Sequence, residues 1–507
     1  MSLIRSSLLV GLGSVASRIL GFGRDILFAQ VLGAGPVADA FLAAFRLPNL
    51  VRRIVGEGGL NPALVPALSR LEPGEAARVA GDVVSVFALA LLALSGLVEI
   101  GAGLLAFVLA PGLVDDGGTL ALVALYTRLG FPMVLGVTLS SVAAALLNLR
   151  GRYGAAAFAP LIVNGGLIAV AVALEAGSTL PLPEKAAWLA AAASLSGLLQ
   201  LAAMAAALPW GEGRMIAFRV PRPSPLVKSL LLAGFPALVA SGAVQLFVLV
   251  GTQIASFWPS GVSWLYYADR VMQLPLGLMA AFAASVLLPQ LALKHRAGED
   301  EAVVAAQNRA LELALLLALP AAAALVVLAW PIASVLFARG AFTQADAAGT
   351  ARVLACLSLG LPFATVAKVL SQTLFARNHL RATLVAALIG IAVTAAASLL
   401  LAPAFGVAGI ALGISLGCFA QAGVLVGSLR RLGLWSPDAA LGGRAVRIAC
   451  ASTVMGLGLA AAAALVPRAD AVVLAALCLG GLVLYGAAAR LTGALTRDDI
   501  ALLAKKA

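Results

Sequence analysis

Eight charged side chains and the amide Asn49 stand between residues 18 and 57, in two stretches otherwise apolar enough to cross a bilayer: Arg18, Arg24, Asp25, Asp39, Arg46, Asn49, Arg52, Arg53 and Glu57. A charge in the middle of a span costs about 2.5–3.5 kcal/mol on insertion scales. Charges kept there therefore face a partner or a water-filled cavity and mark a transport path. Arginines outnumber carboxylates in this cluster, which suits an anionic ligand, and the guanidinium fork matches phosphate oxygens in particular.

Arg18 and Arg24 are about 9 Å apart along a helix axis. In an ideal helix Arg18 shares a face with Asp25 while Arg24 lies roughly 120° away, so a bend at Gly21 and Gly23 is needed for both arginines to reach one cavity. In the second stretch Asp39, Arg46, Arg53 and Glu57 make one stripe, Asn49 and Arg52 sit beside it, and Pro48 is expected to distort the helix. Later in the chain Asp269 and Arg270 fall deep within another span, and Lys368, Ser263 and Gln273 are the main further polar groups of that half. Blander readings stand beside these. Arg52 and Arg53 are near enough to a span end to snorkel, Arg46 could face a structural carboxylate, and Arg18, Arg24 and Arg270 could form internal ion pairs with Asp25, Asp39 and Asp269.

The elements that must position these groups are membrane helices. The 507 residues are 62% hydrophobic and 11% charged, with a mean hydropathy of +1.05, more apolar surface than a soluble core could hide. Fourteen spans are expected, near 6–32, 36–60, 80–110, 119–147, 154–175, 186–208, 227–257, 261–291, 303–329, 345–375, 382–402, 405–428, 442–466 and 470–490. Of the 34 Lys and Arg, 22 then fall in loops or toward span ends on the N-terminal side, three (Lys185, Arg339, Arg468) on the other, and nine deeper within spans. That asymmetry predicts cytoplasmic termini and accounts for the net charge of +12 without nucleic acid.

The chain also repeats at an offset of 230: Leu129-Gly-Phe-Pro132 returns as Leu359-Gly-Leu-Pro362, Ser141 as Ser371, Asn148 as Asn378 and Ala38-Asp39 as Ala268-Asp269. Spans 1–6 and 7–12 are thus expected as two similarly oriented lobes, residues 1–222 and 223–431, with spans 13 and 14 added in 432–507. No HExxH or GxxxxGK[ST] motif occurs, the two histidines lie in loops, and the four cysteines lie in apolar runs without CxxC spacing. No metal site or cofactor is expected. A lipid-phosphate transferase is the rival from another class, and it would want acidic Mg²⁺ ligands near a membrane face.

The stretches Ser17-Arg-Ile-Leu-Gly-Phe-Gly-Arg-Asp25, Gly33-Ala-Gly35, Ala38-Asp-Ala-Phe41, Phe45-Arg-Leu-Pro-Asn-Leu50, Arg52-Arg53 and Glu57-Gly58 resemble the signature of the MurJ/MviN lipid II flippases. Tyr267-Ala-Asp-Arg270, Leu336-Phe-Ala-Arg-Gly-Ala-Phe342, Lys368 and Phe375-Ala-Arg377 extend the likeness through the second half. The resemblance implies an all-α polytopic membrane protein of the MOP superfamily. In that fold fourteen helices make two pseudo-symmetric six-helix lobes around a central cavity, and two C-terminal helices form a lipid-tail groove. It implies transport of lipid II, the polyprenyl-diphosphate precursor of peptidoglycan, across the bacterial inner membrane by alternating access. By the same resemblance Arg18, Arg24, Arg52 and Arg270 bind the diphosphate and its sugar, while Ser17, Asp25, Asp39, Asn49, Glu57, Asp269 and Lys368 gate or support them. Its implied partners are lipid II, membrane lipids and the cell-wall synthesis machinery.

Two departures bear on coupling and charge. Span 7 has no acidic residue, only Gln245, Thr252 and Gln253, where some relatives hold a sodium ion, and Gln273 replaces an acidic residue of some relatives. Membrane potential or another monovalent ion is the remaining candidate for the energy source. A flippase for another polyprenyl-linked oligosaccharide and a multidrug cation antiporter of the same superfamily are the neighbouring alternatives, the second disfavoured by the arginine excess.

Overall fold

The computed structural model describes residues 3–52, 68–114, 118–209, 215–216, 243–282, 300–377, 379–466, 470–496 and 499. Every element of three or more residues among them is helical, as a hydrocarbon environment demands of a backbone that must satisfy its own N–H and C=O groups. Nine described helices are long and apolar enough to cross a membrane, or ten if one bent pair counts as a single span. These ten coincide with expected spans 3–6 and 9–14. The first two expected spans appear as α1 (Leu3–Leu32) and α2 (Pro36–Arg52); α1 is continuous and carries the charges Arg18, Arg24 and Asp25, and α2 is only 17 residues long. Expected spans 7 and 8 lie partly outside the described residues.

Residue contacts divide the chain into two compact units: residues 1–245 with 256–263 and 339–342, and residues 246–255 with 264–338 and 343–507. In the first unit, α1 and α2 are followed by α3 (Pro73–Leu109), α4 (Thr119–Gly130), α5 (Met133–Leu149), α6 (Tyr153–Gly177) and α7 (Leu182–Ala207). Here α1 packs along α6, α2 along α4, and α7 against α4, α5 and α6. Phe28, Phe41, Phe45 and Tyr126 interlock edge-on and stacked, with centroids 5.3–6.2 Å apart, and so tie α1, α2 and α4 together. The outer face of α3 exposes Leu97, Ile100 and Leu104, which suits contact with lipid.

Next come α8 (Ala243–Ala255), α9 (Gly261–Phe282), α10 (Asp300–Val327), α11 (Ala329–Phe337), α12 (Gln344–Ser358), α13 (Leu361–Ala376), α14 (Leu380–Phe405), α15 (Val407–Arg431), α16 (Ala439–Ala464) and α17 (Ala471–Leu491). Most of them build the second unit. Its most intimate pair is α14 with α15. A side chain at Gly409, Gly413 or Gly417 would run into Leu401, Ser398 or Thr394, so these small residues allow the two backbones to approach.

The internal repeat has a structural counterpart. Leu129-Gly-Phe-Pro132 falls at the break between α4 and α5, and Leu359-Gly-Leu-Pro362 at the break between α12 and α13, where the axis bends by 44°. Pro132 immediately precedes its helix and Pro362 is the second residue of its own, positions in the first turn where a missing N–H costs no hydrogen bond. Asn378, the expected partner of Asn148, lies outside the described residues.

Candidate functional site

The centre of the first unit's polar site is Arg24. Its Nε and Nη2 donate to one Asp25 oxygen at 3.0 and 2.7 Å, and its Nη1 donates to the Asn164 side-chain oxygen on α6 at 3.0 Å. The guanidinium carbon lies 5.5 Å from the Phe28 ring centre and 5.6 Å from that of Phe45. Both Arg24 and Asp25 are buried. The long Arg24 side chain thus turns to its immediate neighbour, so the pairing arises without bringing Arg18 and Asp25 together. Arg18 is solvent- or lipid-exposed, and Ser17 enters through its carbonyl, which accepts from the Asn164 amide at 3.2 Å.

Three of the five guanidinium donors of Arg24 are occupied by these bonds, leaving two for another acceptor. Asn164 was not expected as a site residue. Its signal in the sequence is an isolated amide in the middle of an apolar span, weaker than a charge but of the same kind.

On α2, the helix continues through Pro48. The Asn49 side-chain amide donates to the Phe45 carbonyl at 2.9 Å, adding a bond beside the position where proline lacks one. Asp39 is fully buried and accepts from the backbone N–H and the hydroxyl of Ser263, in the first turn of α9, at 2.8 and 2.5 Å. A carboxylate on the N–H groups of a helix start is favourable both as a hydrogen bond and against the helix dipole. Arg52 ends α2; its side chain, with Arg53 and Glu57, lies outside the described residues.

The second unit carries a different arrangement along α9. Arg270 Nη2 donates to the Tyr266 hydroxyl at 2.9 Å, with the guanidinium carbon 4.7 Å from that ring's centre, and Nη1 donates to the Gln273 oxygen at 3.5 Å. Gln273 in turn donates to Asp269 at 2.5 Å. Tyr266, Arg270, Gln273 and Asp269 are thus wired at three- and four-residue spacings along one helix. The amide at 273 serves as donor to the carboxylate and acceptor from the arginine, a dual role that an ionised Glu could not fill. Lys368 sits on α13 and is exposed. No group of three or more His, Cys, Asp or Glu suited to hold a metal occurs among the described residues.

The family model for the lipid II flippase MurJ matches residues 28–479. The chain belongs to the MurJ family. It is 37% identical over 466 residues to a probable lipid II flippase MurJ of Rhizobium meliloti, covering 90% of this chain and 86% of that one. It is 32% identical over 450 residues to the lipid II flippase MurJ of Burkholderia cenocepacia, covering 86% of each. Among solved structures, a lipid II flippase MurJ in an inward closed conformation aligns over 96% of this chain and 98% of its own, with a TM-score of 0.77 at 22% identity. An inward-facing MATE multidrug transporter of the MOP superfamily aligns over 82% of this chain and 95% of its own, with a TM-score of 0.66 at 17% identity. The fold of this MurJ-family chain is therefore that of the MOP superfamily, in a multi-pass membrane protein.

Proposed function

We propose that this chain moves lipid II from the inner to the outer leaflet of the bacterial inner membrane. Arg18, Arg24, Arg52 and Arg270 would act as the headgroup-binding cations. Membership of the MurJ family supports the substrate, and the setting of Arg24 supports the chemistry. Its guanidinium is buried, oriented by Asp25 and Asn164, flanked by two aromatic rings and left with two N–H donors for oxygens of a diphosphate. A cation fixed in low dielectric before the ligand arrives pays little reorganisation on binding.

Ser17, Asp25, Asp39, Asn49, Glu57, Asp269 and Lys368 orient or gate these arginines in this reading. Transport proceeds by alternating access, with no covalent change to the lipid and no cofactor. The 22-to-3 distribution of loop cations supports cytoplasmic termini. Membrane potential can drive the cycle, acting on site charges at about 2.3 kcal/mol per charge per 100 mV. The enzymes that consume lipid II at the outer leaflet are the natural protein partners.

Complementation of a bacterial strain depleted of its own lipid II flippase tests the proposal. Growth with the wild-type chain and none with Arg24→Ala present at equal membrane level is expected. Failure of the wild type would discard lipid II as substrate. Full rescue by Arg18→Ala, Arg24→Ala and Arg270→Ala alike would discard the arginine site, and recovery of chemically altered lipid would favour a transferase.

A further inference from the structure

Outside the arginine site, the second unit holds a closed ring of four charges, three of them buried. Arg309 on α10 donates to Glu312 of the same helix at 2.9 Å and pairs with Asp499 beyond α17. Arg444 on α16 donates to Glu312 at 2.7 Å and pairs with the other Asp499 oxygen, and its Nε donates to the Ala494 carbonyl at 3.0 Å. Asp499 also accepts from the backbone N–H and hydroxyl of Thr496. Asp499, Glu312 and Arg444 are 1%, 7% and 8% exposed.

Burying ions costs several kcal/mol each, so helix adhesion alone does not account for the ring: apolar side chains of similar volume adhere as well or better. What a ring of fixed forks adds is geometry, because every charge has two partners and no neighbour can be exchanged. Its location is informative. It joins the third and fourth turns of α10, the second turn of α16 and the segment following α17. Next to it, the Trp435 indole donates to Asn308 and Asn308 donates to the Ser436 carbonyl, docking the α15–α16 linker on the same stretch of α10. Farther along, the attachment of α16 to α10 turns apolar, with Gly456 against Ala323 and Val327, while α17 keeps one polar tie, the Tyr485 hydroxyl donating to the Leu316 carbonyl at 2.7 Å.

We propose that Arg309, Glu312, Arg444 and Asp499 form a polar pin that fixes one end of the α16–α17 pair to α10. The four are positioning residues for transport, and the residues after α17 are a working part of the protein. The transport half of this inference rests on the proposed movement of lipid II and on the tail groove that the family resemblance implies for the two C-terminal helices, α16 and α17; the pin itself does not.

The test uses the full chain in lipid nanodiscs, with its four native cysteines replaced and spin labels at Glu301 on α10 and Val446 on α16. A single narrow distance distribution is expected for the parent, and a broadened one for Asp499→Asn and for Arg309→Gln. The second variant removes the partly exposed member, so it keeps the question decidable if Asp499→Asn does not fold. Unchanged narrow distributions in the folded variants would overturn the pin. In vesicles, the variants should slow flipping of a fluorescent polyprenyl diphosphate by about tenfold, the scale of one lost charge-assisted hydrogen bond, with headgroup affinity unchanged. Lost affinity with a narrow distribution would also overturn it. Parent protein that flips nothing would discard the transport reading while the distances still decide the pin.

Discussion

The Asp39 carboxylate on α2 accepts both the backbone N–H and the hydroxyl of Ser263 in the first turn of α9, 224 residues later. An acidic side chain that is a charge anomaly in its own span is thereby satisfied as a helix cap. Asp39→Ala should leave a buried N–H unpaired and cost about 1–3 kcal/mol, whereas Asp39→Asn keeps an acceptor and should cost less. Thermal unfolding of the purified protein checks the order; equal losses would remove the capping account.

Asn164 orients Arg24 without carrying charge. Asn164→Ala should leave the fold intact and weaken binding of a soluble diphosphate-bearing headgroup analogue by about tenfold, as one charge-assisted bond is lost. Calorimetric titration measures it, and unaltered affinity would show that Asp25 alone suffices.

Arg24→Ala would remove the ion-pair partner that Asp25 has in Arg24, at a cost of up to about 3–5 kcal/mol. The double change Arg24→Leu with Asp25→Leu should recover much of that stability and none of the binding. Parallel melting and binding measurements separate the two effects.

Burial alone would raise the pKa of Asp499, but the Thr496 hydrogen bonds and then Arg309 and Arg444 outweigh it and hold the carboxyl below its ordinary 3.8. A lowered folded pKa means a stabilising contribution fully present above about pH 4 and lost as pH falls through the folded value. The melting temperature should therefore drop below about pH 4 through this group, and Asp499→Asn should remove that part of the acid limb.

Gly340 has φ of 58°, and a Cβ there would lie 2.5 Å from the Gln30 carbonyl oxygen. The neighbouring Ala341 N–H donates to that same oxygen at 2.8 Å. Gly340→Ala should thus strain the turn and break this docking onto α1, destabilising by at least about 1 kcal/mol. Accelerated hydrogen exchange at Ala341 is the direct readout.

The sequence by itself determined that this is a helical membrane protein of the MurJ family, because hydropathy over 20-residue windows and the motif around Ser17–Asp25 are local properties of the chain. It also determined where charge would be anomalous, since a buried charge is costly whatever its partners. Partner choice was a matter for tertiary structure. Helical spacing put Arg18, not Arg24, on the face of Asp25, yet Arg24 has a side chain long enough to turn to its neighbour and is held there by an amide 140 residues away. The same holds for Asp39 with Ser263, Gln273 between Asp269 and Arg270, and Asp499 with Arg309 and Arg444. Hydropathy reports the cost of removing each group from water. Only packing decides which distant donor or acceptor offsets it.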